Sequence, residues 1–217
     1  MTLERILILT PPGSMRRVVA ELRHELYRRT GCVSALALPP VVPLLAWRLE
    51  LPVAEAAGLL ASCARPLRFR LDSYARVAGC LYLGLASDAP DGIEGLTRDL
   101  DRASAAAAQA ALSGPSSAKQ PPRLIPLSPG FFMAGPDLAA TPRELALDLP
   151  IPSERAFSSY CLSVLRVCSH APASSWWRVL SWAEEVRVPV KSSGRAAPGS
   201  AARSPRGPTG GGRAPAR

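Results

Sequence analysis

The sequence predicts an α+β fold: two lobes of mixed or antiparallel β-sheet around a central cleft, helices outside, and a disordered C-terminal tail. Three observations lead there. Short apolar or alternating segments interleave with helical ones in the order β-α-β, an extended crossing, α-β-β-α, then a β-rich second half. The 23 prolines cluster in the joints between these segments, which favours short elements and stiff loops. From Lys191 the chain has no apolar residue larger than alanine or proline and cannot bury enough surface to order itself. Residues 1–190 are therefore taken as one α+β domain and 191–217 as a basic Gly/Pro/Ala/Arg tail.

The elements are justified in order. Arg5–Leu9 is an Ile/Leu run, a buried strand stopped by Pro11-Pro12-Gly13. Ser14 is placed to cap a helix over Met15–Arg29 that Gly31 ends. Its apolar stripe is Val18, Val19, Leu22 and Leu26, with Arg16, Arg17, Arg23, His24, Glu25 and Arg28 facing water. Val33–Leu38 reads as a second strand. Val41–Leu49 is apolar and extended, with Pro43 limiting its pairing. Pro52 opens a helix over Val53–Cys63.

Leu67–Asp72 alternates strictly, Leu67, Phe69 and Leu71 to one side and Arg68, Arg70 and Asp72 to the other. Tyr74–Gly79 reads as a turn into an antiparallel partner strand from Cys80 to Leu85. A third helix runs from Gly92 to about Leu112. A linker over Ser113–Pro122 precedes a broken extended stretch, Arg123–Ala134. Gly135–Ser153 looks irregular apart from Arg143–Asp148. Ala156–Cys168 is a strand, and Trp176–Leu180 with Glu184–Val190 closes the fold as a hairpin or bent pair.

The formal charge is +9, but six of those charges lie from Lys191 to Arg217, where there is no acid. The body carries about +3, which weakens any inference from charge to nucleic acid. The five cysteines, Cys32, Cys63, Cys80, Cys161 and Cys168, are odd in number and form no CxxC pair. They read as free, buried thiols of a cytoplasmic protein. The only histidines, His24 and His170, have no ligand-spaced neighbour, so neither a metal nor any other cofactor is expected. No apolar run reaches the ~20 residues of a membrane span, and the N-terminus reads as a core strand rather than a signal peptide.

Several segments, taken in order, resemble a known family. They are Ile6-Leu-Ile-Leu-Thr-Pro-Pro-Gly, Leu38-Pro-Pro-Val-Val-Pro-Leu, Arg65-Pro-Leu-Arg-Phe-Arg-Leu-Asp-Ser-Tyr, Leu81-Tyr-Leu-Gly-Leu and Arg123-Leu-Ile-Pro-Leu-Ser-Pro-Gly-Phe-Phe. Their order and hydrophobic texture, over about Glu4 to Val190, resemble the two-histidine phosphoesterases, the 2′-5′ RNA ligase and RNA 2′,3′-cyclic phosphodiesterase group. That resemblance implies a two-lobed fold with a His-x-Thr or His-x-Ser motif on each of two strands. The histidines act there as general base and acid, and the hydroxyls hold the phosphate.

Both motifs are missing. The first position reads Val41-Val42-Pro43, and the second reads Ile125-Pro126-Leu127 or, one residue on, Pro126-Leu127-Ser128. Valine, isoleucine and proline transfer no proton, and loss of one acid–base partner costs on the order of 10²–10⁴ in rate. No residue is therefore assigned a catalytic role. The cleft candidates for binding are Arg68, Arg70, Tyr82, Arg123 and Ser128. Each has a plainer reading: a solvated face with Asp72 as counter-charge for Arg68 and Arg70, a flanking charge for Arg123, a turn for Ser128, and a sheet cap for Tyr82. Trp176, Trp177 and Trp182 could stack bases, but core and edge cover is the favoured reading.

The expectation is thus an inactive phosphoesterase-fold protein whose old cleft takes a nucleotide, an RNA end or a protein partner. Two alternatives stay open: an active cyclic phosphodiesterase or ligase with shifted residues, and a protein-interaction module with no nucleic-acid role.

Overall fold

The computed structural model describes residues 2–47, 49, 51–77, 79–111, 130–140, 149–151, 156–169 and 179–191. Strand β1 (Thr2–Thr10) leads through Pro11-Pro12 to helix α1 (Gly13–Thr30) and a 3₁₀ turn at Val33–Leu36. Then come β2 (Val42–Trp47), α2 (Val53–Cys63), the hairpin β3 (Phe69–Val77) and β4 (Cys80–Ser87), and α3 (Gly92–Ala111). The second half supplies β5 (Gly130–Ala134), a 3₁₀ turn at Pro136–Ala140, β6 (Ala156–Phe157), β7 (Tyr160–Ser169) and β8 (Val179–Val190). The described strands form two four-stranded sheets, β2-β1-β7-β8 and β5-β4-β3-β6, with every described pairing antiparallel. The end strands β2 and β5 lie against one another, which joins the sheets.

The expected α+β class holds, and several elements are corrected. Helix α1 begins at Gly13 with Pro12 as its N-cap and no side-chain cap bond, so Ser14 lies inside the first turn rather than capping it. Pro12 brings a preset φ to the helix start. Gly31 ends the helix at φ 67°, where its N–H reaches the Tyr27 carbonyl. Arg23, expected at the surface, is buried: its Nε donates to the Ala35 carbonyl at 2.5 Å. Val33–Leu38 is not a strand. Its backbone bonds are local, from Ala35 to Cys32 and from Ala37 to Ser34, and the Ser34 N–H goes to Asp137.

Tyr74–Gly79 is not a turn throughout, since β3 continues to Val77 past a bulge between Leu71 and Tyr74. Ala156–Cys168 is two strands in different sheets: β6 pairs with β3, and β7 pairs with β1. The closing hairpin is a single strand, β8, paired along β7. Trp176 and Trp177 lie outside the described residues. So do the linker at 113–122, the Arg143–Asp148 piece and the tail beyond Lys191.

Alternation sorts the strand side chains into two layers. On one layer Leu7 and Leu9 of β1 and Leu81, Leu83 and Leu85 of β4 share a core with Met15, Val19, Leu22 and Leu26 of α1. Ala56 and Leu60 of α2 and Ile93, Leu96 and Leu100 of α3 belong to the same core. On the other layer Ile6, Ile8, Leu38, Val41, Cys80, Tyr82, Phe132, Leu165 and Val167 form a second cluster, to which no helix of the described residues contributes. β1 therefore reads as an unbroken apolar run because both its faces are buried.

Candidate functional site

The helix-free layer carries Val41 and Tyr82, two positions that the sequence analysis assigned to the expected cleft. Two devices set it up. Gly130 opens β5 where a Cβ would come within 2.5 Å of the Leu83 carbonyl oxygen, so only glycine lets β5 lie this close to β4. Close approach places Phe132 edge-on to Tyr82, ring centres 6.0 Å apart and planes at 74°. The second device is a polar clasp. Asp137 takes the Ser34 N–H at 3.0 Å and the Ser34 hydroxyl at 2.5 Å, while the Gly135 N–H donates to the same hydroxyl at 2.6 Å. It anchors the turn that leads to Leu38 and Val41.

Val41 stands one residue before β2, 4% exposed, inside the helix-free cluster. Pro43 is buried opposite Ile8, at the bulge between Leu7 and Ile8. β2 is an end strand, which is where a proline can be accommodated. The positions 125–128 lie outside the described residues. The β5 side chain on this face is Phe132, 2% exposed.

The cluster's two titratable members are held protonated at neutral pH. Burial pushes the Cys80 thiol up to about 11, and burial with the adjacent Cys80 raises the Tyr82 hydroxyl above its usual range. His24 is exposed on α1, and His170 lies outside the described residues. Among the described residues no group of three or more His, Cys, Asp or Glu side chains could hold a metal ion. No helix among them is long and apolar enough to cross a membrane. All five cysteines are free, Cys32 and Cys80 buried and the others half-buried.

Of the binding candidates, Tyr82 lies in the helix-free cluster and is 4% exposed. Arg70 shares that face further along, opposite Ala86, and is exposed. Arg68 precedes β3 and makes a loose exposed ion pair with Asp88 at 3.7 Å. Arg123 and Ser128 lie outside the described residues.

The same face carries Trp182, one of the tryptophans weighed for base stacking, and three residues the sequence did not single out, Arg187, Ser163 and Thr10. On β8, Trp182 stands opposite Val167 and is 48% exposed, so it is not core. Arg187 stands opposite Ser163, with its Nε 3.2 Å from the Cys161 sulfur. Ser163 and Thr10 are buried, and neither hydroxyl has a hydrogen-bond partner among the described residues. A serine between Leu162 and Val164 was the available signal, since a polar residue within an apolar strand asks for a partner.

No family model matches the chain, and no curated protein matches it. Among solved structures it is similar to E. coli LigT complexed with 3′-AMP, at 14% identity over 86% of this chain and 98% of that one, TM-score 0.49. It is also similar to a phosphoesterase, at 15% identity over 87% and 99% of the two chains, TM-score 0.47. E. coli LigT complexed with phosphate gives 13% identity over 87% and 99%, TM-score 0.45.

Proposed function

We propose that this chain is a phosphoesterase-type protein that performs no phosphodiester chemistry and instead binds a nucleotide or RNA end on its helix-free face. The observation that carries the first half is Val41. It occupies the place the sequence resemblance gives to the first histidine, and it is 4% exposed in an apolar cluster. In-line phosphoryl chemistry needs one group to take a proton, another to give one, and donors on the developing charge. Val41 and Pro43 supply none of these, and Cys80 and Tyr82 keep their protons at neutral pH.

The binding half is supported by Trp182 and Arg187 on the same face of β8. An exposed indole is a stacking surface for a base, and a guanidinium is a fork for a phosphate. Arg70 adds a second exposed cation on the other sheet.

Two measurements on the full chain test this. Incubated with a 2′,3′-cyclic nucleotide, the protein is expected to give no product above a protein-free control. Titrated with the same nucleotide, it is expected to show tryptophan quenching that Trp182→Ala removes. Product formation sinks the non-catalytic reading. Quenching that is absent, or unchanged in Trp182→Ala, sinks the binding reading and leaves Trp182 to a protein partner.

A further inference from the structure

We propose that Thr10, Ser163 and Arg187 form a phosphate-binding subsite on the β1-β7-β8 part of the helix-free face. The proposal rests on the reading of that face as a ligand-binding one. The register brings the three residues together. Ile8 pairs with Ser163 and Thr10 with Cys161 across β1 and β7, while Ser163 pairs with Arg187 across β7 and β8. Ile8 belongs to the helix-free cluster, so Thr10, two residues along, and the opposed Ser163 take the same side. Arg187 follows, because its neighbours Val186 and Val188 pack into the helix-covered core.

Two facts point to a ligand rather than to a packing accident. Ser163 is fully buried and Thr10 is 4% exposed, yet neither hydroxyl has a hydrogen-bond partner among the described residues. Buried hydroxyls are normally satisfied, and two orphans at diagonal positions on neighbouring strands leave two donors without an acceptor among the described residues. Beside them Arg187 keeps half its side chain in solvent. Its bonds are soft ones, to the Cys161 sulfur at 3.2 Å and to Glu184 at 3.7 Å. A thiol is a weak acceptor, and a 3.7 Å ion pair is easily exchanged. A tetrahedral phosphate supplies what all three lack: oxygens for two hydroxyl donors and a bidentate partner for the guanidinium. Arg187 turns from Cys161 to admit it. Residues at the Val41 and Pro43 positions take no part, so this subsite is offset across the sheet from the place of the missing histidines.

The experiment titrates inorganic phosphate into the full chain while amide resonances and melting temperature are followed, with sulfate and chloride at matched ionic strength as controls. Saturable shifts at Thr10, Ser163 and Arg187 are expected, with affinity about tenfold or more weaker in Arg187→Ala. Thr10→Val and Ser163→Ala remove an orphan hydroxyl, so both are expected to melt no lower than the parent without phosphate and to lose the phosphate-dependent rise. A lower melting temperature in these variants would show that the hydroxyls already have partners, and would overturn the proposal. So would phosphate shifts that chloride reproduces.

A parallel nucleotide titration separates the two readings. Trp182 quenching that Arg187→Ala leaves untouched sinks the subsite and spares the binding face. Phosphate binding without nucleotide binding keeps the subsite for free phosphate and sinks the nucleotide reading. Failure of both titrations sinks both.

Discussion

Asp137 holds Ser34 across 103 residues of sequence, accepting the backbone N–H at 3.0 Å and the hydroxyl at 2.5 Å. This pair fixes the 3₁₀ turn before β2 against the 3₁₀ turn after β5.

Removing the carboxylate in Asp137→Ala leaves the buried Ser34 N–H and hydroxyl without their acceptor. Stability is expected to fall by about 1–3 kcal/mol. Burial acts to raise the Asp137 carboxyl, but the Ser34 hydroxyl and N–H outweigh it and hold the group below its usual value. A depressed folded value means a contribution that is present above the unfolded pKa and fades as pH falls through the folded one. The effect is a modest one because Asp137 itself is exposed. Chemical denaturation between neutral pH and pH 3 should show parent and Asp137→Ala converging as pH drops. Parallel curves would refute the coupling.

Alkaline pH should weaken the fold. Burial pushes Cys80 from 9.0 up to about 11, and Tyr74 and Tyr160 from 10.0 to about 12. Each folded value lies above its unfolded one, so the native state keeps protons that the unfolded chain releases. Their contribution is whole below about pH 9 and is lost progressively as pH rises towards 12. Phenolate absorbance should show Tyr74 and Tyr160 ionising late, together with unfolding, and the melting temperature should start to fall near pH 9.

Much of this architecture is legible in the sequence, and the failures have specific causes. Val53–Cys63 matches α2 residue for residue because Pro52 fixes its start and nothing distant competes. Val33–Leu38 fails because its polar groups are claimed from afar, by Asp137 and by the Arg23 guanidinium, neither of which local periodicity can reveal. The same contact buries Arg23 on what a helical wheel marks as a water face. The extended stretch from Val41 could be placed because Pro39-Pro40 punctuates it. Thr10, Ser163 and Arg187 could not, since only the β1-β7-β8 register brings them side by side.

Phe132 and Trp182 of the helix-free face should separate under mutation. Phe132 is 2% exposed and packed against Tyr82, so Phe132→Ala should cost about 3–5 kcal/mol. Trp182 is 48% exposed, so Trp182→Ala should stay within about 0.5 kcal/mol without ligand. Urea denaturation of both variants checks this. A large loss in Trp182→Ala would make it a structural residue and remove it from the binding face.

The last prediction concerns reactivation. If the first motif position were merely a lost histidine in an otherwise working site, Val41→His with Pro43→Thr would restore some turnover. The surroundings argue against it. An imidazole at position 41 enters an apolar cluster of Ile6, Ile8, Leu38, Phe132 and Leu165. Burial without a partner costs about 1–3 kcal/mol and pushes an imidazole pKa down, away from the value a general acid needs. On β5 the side chain facing it is Phe132, which cannot complete an acid–base pair. The double variant should therefore melt lower than the parent and still give no product from a 2′,3′-cyclic nucleotide. Turnover in the variant but not in the parent would show that the second half of the machinery survives, and that a single lost motif separates this chain from an enzyme.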